Sequence, residues 1–211
     1  MNSFSLSVIP ARFRIEPARS LGFSNGPVDD LEKQLETFLR QKTSLGPNVY
    51  LARGAALVGA VTLGHDSSVW YNAVLRADIN TITVGHHTNI QDNAVLHVAD
   101  DHPCVIGDHV TIGHGAVVHG CTVGNETLIG MGAAVLDGAV VGSHCIVAAH
   151  ALVPQGMHVP DGTLVMRAPA RVTRALTPEE REHLRFIALK YAANAAYCMK
   201  HGINVEHSQS A

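Results

Sequence analysis

Counting in sixes from Leu51 lands on Leu57, Leu63, Val69 and Leu75, and after a three-residue slip the count resumes at Val84, Ile90 and Leu96. A four-residue insertion precedes Ile106, Ile112 and Val118. A one-residue deletion then leads into Val123, Ile129, Val135, Val141, Val147, Val153, Val159 and Val165. Every counted position is aliphatic. An amphipathic helix would repeat its apolar residues about every 3.6 positions, and a hairpin sheet would alternate in twos. A fixed period of six instead predicts a parallel β-helix, an all-β solenoid. Six residues supply one short strand and one corner, three such units close a coil, and the aliphatic residue fills the interior. Residues 51 to 165 then make about six triangular coils. Glycine follows several counted residues (Gly64, Gly85, Gly107, Gly113, Gly124, Gly130 and Gly142), as expected at a bend that a β-carbon would obstruct.

A column of stacked aliphatic side chains, at roughly 1.5 to 3 kcal/mol each, can stabilise a chain that is only 5% aromatic. The β-helix is assigned to residues 47 to 170, between an N-terminal extension (1 to 46) and a C-terminal helix and tail (171 to 211). Within the extension, residues 29 to 42 carry Leu31, Leu35 and Leu39 at four-residue spacing, with acids early and bases late. That pattern predicts a short amphipathic helix placed to cap the first coil. Residues 1 to 28 have a faint presequence character, opposed by their early prolines and Glu16, and read as a surface extension. Thr177, Pro178 and Glu180 form a helix start and Gly202 a stop, which predicts a helix over 178 to 200. Its stripe of Leu184, Ile187, Ala188, Tyr191, Ala195 and Cys198 is expected to pack on the solenoid.

The net charge of −3 offers no basic field for nucleic acid, and no apolar run approaches the roughly 18 residues needed to span a bilayer. Four scattered cysteines, with no C-x-x-C pair and no secretory leader, argue against a disulfide framework and predict a reducing, cytoplasmic setting.

Fourteen histidines are more than an ordinary surface carries. Most can be read as solvated corner residues, but three have a register. His97 directly follows the interior residue Leu96, and His119 directly follows Val118, so the two project from equivalent positions one coil apart, roughly 5 Å along the axis. His114 leaves from a different corner and cannot reach the same ion within one chain. Assembly around a threefold axis would bring His114 of one subunit to the His97 and His119 pair of its neighbour. Three neutral imidazoles with an open fourth position are the ligand set of a catalytic zinc, which lowers the pKa of water to about 7.

The run from Arg76 through Gly120, RADINTITVGHHTNIQDNAVLHVADDHPCVIGDHVTIGHGAVVHG, resembles the γ-class carbonic anhydrases and their relatives in the hexapeptide-repeat superfamily. The resemblance covers about residues 47 to 200. It implies a left-handed β-helix, a homotrimer and a metal held by His97, His114 and His119. It further implies that Arg76 and Asp78 serve the site and subunit interface. Asn89, Gln91 and Asp92 would lie beside the metal, with Gln91 orienting the reactive hydroxide and Arg76 pairing with Asp92 across the interface. The implied cofactor is Zn2+, with Fe2+ or Co2+ as alternatives, and the implied reaction is interconversion of CO2 and bicarbonate.

The chain departs from the best-characterised family members in its proton exit. Ile79 stands where they carry a glutamate, and the loop from Val98 to Val105 holds Asp100, Asp101 and His102 but no shuttle glutamate. His102, with an unperturbed pKa of roughly 6.5, is the candidate shuttle. Two other function classes stay open: a hexapeptide-type acyltransferase or thioesterase, with one histidine as general base and no metal, and a catalytically silent assembly subunit.

Overall fold

The computed structural model describes residues 28–204, so the presequence-like residues 1–27 lie outside the described part. The hexapeptide units form very short parallel strands that stack into a three-faced left-handed β-helix. One face is built by Tyr50–Leu51, Ser68–Val69, Asn89–Ile90, Thr111–Ile112, Leu128–Ile129, Ile146–Val147 and Thr163–Met166, closed by the antiparallel strand Arg171–Ala175. These seven parallel rungs give the solenoid about seven turns, because both ends of the counted column are themselves rungs. The other two faces are joined into one sheet because Val74–Val84 bends around a corner. Its first half pairs with Val95–His97 and its second half with Cys104–Ile106.

Of the counted positions, Leu63 through Val165 are buried, while Leu51 and Leu57 are only partly buried in the first coil. A second interior column, two residues before each aliphatic one, carries small side chains: Ala73, Ala94, Ala116, Ala133 and Ala151 on one corner, Ser67, Thr88 and Thr127 on another. Each of these hydroxyls donates to a carbonyl of the next coil, as Thr88 Oγ1 does to Gly107 O at 2.8 Å. Their buried polar atoms are thereby paired.

The glycines after the counted residues stack coil on coil. A β-carbon on Gly64 would lie 2.6 Å from Gly85 O, and one on Gly85 would lie 2.7 Å from Gly107 O. Close approach of successive backbones therefore selects glycine there. The left-handed corner positions mostly belong to other residues. Asn48, Asp66, Asn72 and Asn93 occupy positive φ, as do His87 (φ 51°), His109 (55°), His144 (54°) and His150 (55°). Asn, Asp and His are the side chains most often tolerated there, and this accounts for four of the fourteen histidines.

The N-terminal helix α1, Val28–Leu39, ends earlier than its amphipathic pattern suggests. It packs against Ala56–Leu63 and Val74–Val84, the strands of the first coils. Phe38 packs against the core, and Gln34 Nε2 donates to the carbonyl of Ile79, inside the three-residue insertion. Helix α2, Pro178–Lys200, starts at the N-cap Thr177 with a complete capping box to Glu180. It runs back along the Tyr50–Met166 face and buries Leu184, Ala188 and Ala195. Tyr191 meets the edge of Trp70 at 5.5 Å. Among the described residues, no helix is long and apolar enough to cross a membrane.

Candidate metal centre

Val95–His97 and Val117–His119 pair in parallel with His97 opposite His119. The six-residue register alone therefore brings the two rings together, and His97 Nδ1 lies 2.8 Å from His119 Nε2. The remaining ring nitrogen of each histidine meets an aspartate: His97 Nε2 lies 3.0 Å from Asp78 Oδ1, and His119 Nδ1 bonds Asp137 Oδ1. An ionised carboxylate can only accept, so the outer nitrogens carry the hydrogens and the inner nitrogens keep their lone pairs. Two lone pairs 2.8 Å apart repel unless a cation or a proton lies between them.

That arrangement fits a metal. Nitrogens bound at 2.0–2.1 Å in a tetrahedral shell stand roughly 3.3 Å from each other, so a small outward shift of the rings accommodates an ion. Burial pushes the His97 imidazole below its ordinary pKa, with the nearby Arg76 charge adding to the effect against Asp78. The ring is thus neutral at pH 7, as a ligand must be. Burial opposes ionisation of Asp78, but hydrogen bonds from His97 and Arg76 outweigh it and hold that carboxyl below the usual range.

His114 lies at the other end of the same rung, in the turn before Val117–His119. Among the described residues, the ring nitrogens of His97, His114 and His119 do not all come within 4.8 Å of one another in one subunit. His114 is nonetheless built like the other two, with Nδ1 2.8 Å from Asp92 Oδ2 and its side chain half exposed. Each of the three histidines therefore has its own aspartate: Asp78, Asp92 and Asp137. Within the chain Arg76 pairs with Asp78. Gln91 and Asn89 are buried beside Thr111–Ile112, the rung that precedes His114, Gln91 Nε2 donating to Asn89 Oδ1 (3.1 Å) and Asn89 Nδ2 to Thr111 Oγ1 (2.9 Å).

The Val98 to Val105 loop is a tight turn closed by mutual backbone bonds between Ala99 and His102. It sets His102 against Gly120 and Gly138, next to the His119 and Asp137 corner. A β-carbon on Gly138 would lie 3.2 Å from the His102 ring, and one on Gly120 would lie 2.7 Å from Asp137 Oδ1. Asp137 is the residue that sequence reasoning missed. It follows His119 by 18 positions, whereas the coil there is 17 residues long because of the one-residue deletion (Val118 pairs with Val135), so Asp137 stands one place past the register partner of His119.

Residues 120–155 match the family model for bacterial transferase hexapeptide repeats (six repeats). Over 147 residues the chain is 48% identical to a probable carbonic anhydrase of Methanocaldococcus jannaschii, covering 70% of this chain and 92% of that protein. It is 50% identical over 149 residues to gamma carbonic anhydrase 1, mitochondrial, of Arabidopsis thaliana, covering 68% of this chain and 54% of the plant protein, or about half its length. A hexapeptide transferase family protein from Anaplasma phagocytophilum has a similar crystal structure, with a TM-score of 0.70 and 40% identity over 73% of this chain and 91% of that one.

Proposed function

Because the chain belongs to the γ-class carbonic anhydrase family of hexapeptide-repeat proteins, we propose that it catalyses the reversible hydration of CO2 to bicarbonate at a divalent metal held between the subunits of a homotrimer. The observation that carries this reading is the set of three histidines, each with one ring nitrogen on its own aspartate and the other left for a ligand role. His97 and His119 of one subunit and His114 of the next would hold the ion. Zinc is the default, and iron(II) or cobalt(II) suit the same imidazoles. Such an ion supplies Lewis acidity that makes hydroxide available near neutral pH.

The chain's own residues do the rest. Asp78, Asp92 and Asp137 keep the protons on the outer ring nitrogens, fixing tautomer and ring orientation. Asn89 occupies the donor end of the Gln91 carboxamide, so the oxygen end is the one offered to orient a hydroxyl group. Arg76, exposed at the corner beside Asp78, is available to bridge to Asp92 of the adjoining subunit. His102, next to Gly120, is placed to carry the released proton to solvent, taking the part that a glutamate plays elsewhere in the family.

Acyl transfer is the second reading, supported by the hexapeptide transferase relative; it requires one histidine as general base and no metal. A silent assembly subunit is the third. Metal analysis of protein purified without exposure to oxygen, together with stopped-flow CO2 hydration, separates them. The expected result is CO2 hydration in the wild type with one metal ion per chain more than in His119→Ala, which also loses the activity. Metal-free, inactive wild-type protein would overturn the enzyme reading. Bound metal without turnover would favour the silent subunit, and metal-independent acyl-CoA turnover would favour the transferase.

A further inference from the structure

A second group of ligating side chains lies on a different corner of the prism, away from His97 and His119. We propose that His65, Asp66 and His87 form an intrachain site for a divalent transition ion, which clips two successive coils together. One ligand atom from each of the three residues falls within 4.8 Å of the others. The register explains why. Asp66 (φ 55°) and His87 (φ 51°) occupy the same left-handed corner in successive coils, and His87 N donates to His65 O at 3.0 Å. Strand spacing of about 4.8 Å then delivers side chains from both coils to one point.

The surroundings hold these groups in place without using up their ligand capacity. Asn48 Nδ2 donates to Asp66 Oδ1 at 3.0 Å, fixing the carboxylate, while Oδ2 faces His65 Nδ1 at 2.7 Å. His86 stacks on His65 at 3.9 Å and accepts from its backbone N–H, so His86 is already committed. His109 stacks on His87 at 4.9 Å and limits its movement. The independent sign of a ligand is His87 Nδ1, the one buried side-chain nitrogen or oxygen without a hydrogen-bond partner among the described residues. A buried ring nitrogen left unpaired is unfavourable, and an ion gives it a bond. Two imidazoles and one carboxylate suit zinc, cobalt or nickel, with water completing the shell. Because the ligands come from two coils of the folded chain, the ion binds the native state and stabilises it by mass action.

The test uses the tag-free full chain in a His97→Ala/His119→Ala background, which removes the pair at the other corner. Zinc alone is titrated by calorimetry, and thermal melting is recorded with and without it. The expected result is one equivalent of zinc bound per chain and a rise in melting temperature. Both are lost on adding His87→Asn, which keeps a residue suited to the left-handed backbone, and equally on adding His65→Gln. Far-ultraviolet circular dichroism identifies any variant that fails to fold, in which case the other variant decides. A background protein that takes up no zinc would overturn the proposal. So would folded triple variants that bind zinc as the background does.

Discussion

Each predicted ligand depends on a carboxylate that never needs to touch the metal. Asp137 bonds His119 Nδ1 and leaves Nε2 facing His97. Asp137→Asn keeps the shape, but its amide can donate to Nδ1 and so favours the tautomer with a hydrogen on the inward nitrogen. Metal affinity is expected to fall by about 10- to 100-fold, measured by competition with a chelator. Unchanged affinity would show that Asp137 does not set the tautomer. The histidine pair was legible in the sequence because His97 and His119 each follow a counted aliphatic residue. Asp137 was harder to see, since its partnership with His119 crosses from coil to coil beyond the one-residue deletion before Val123. Arg76 shows the other limit: its bond to Asp78 within the chain depends on where the insertion after Ala77 leads the backbone.

At the scale of elements, most rungs are two or three residues long and exist only because neighbouring rungs satisfy their backbone groups. Helix α2 differs in carrying its own start signal, and its beginning could be read directly from Thr177, Pro178 and Glu180. Corner chemistry was less legible, because a histidine at a corner such as His87, His109, His144 or His150 looks in sequence like any solvated surface histidine. The α2 start also gives a pH dependence. Hydrogen bonds from Arg174 and then from the Thr177 backbone hold the Glu180 carboxyl at about 2, down from its ordinary 4.5. A depressed carboxylate pKa stabilises the fold above the unfolded value, and the contribution disappears as pH falls from about 4.5 toward about 2. Screening by solvent makes it small. Wild type is expected to melt above Glu180→Gln at neutral pH, with the two converging in acid; a gap that does not change with pH would contradict this account.

The whole molecule is a column whose stability is shared between adjacent coils, so damage to a middle coil weakens both halves. Ile129 is fully buried between Ile112 and Val147. Ile129→Ala is expected to cost about 2 to 5 kcal/mol in denaturant unfolding. A loss well under 1 kcal/mol would mean that the column can close around the gap. On the proposed reading the metal centre is a property of the assembly, since His97 and His119 meet at one corner while His114 sits in the turn before Val117–His119. Mixing subunits tests this claim most directly. His114→Ala and His119→Ala subunits are each expected to be inactive as pure trimers. Co-refolded in equal amounts, they should recover about a quarter of the wild-type CO2 hydration and of the metal held at the shared site, because that fraction of interfaces joins intact His97 and His119 to an intact His114. Mixed trimers that form but recover neither metal nor activity would contradict a site shared between subunits.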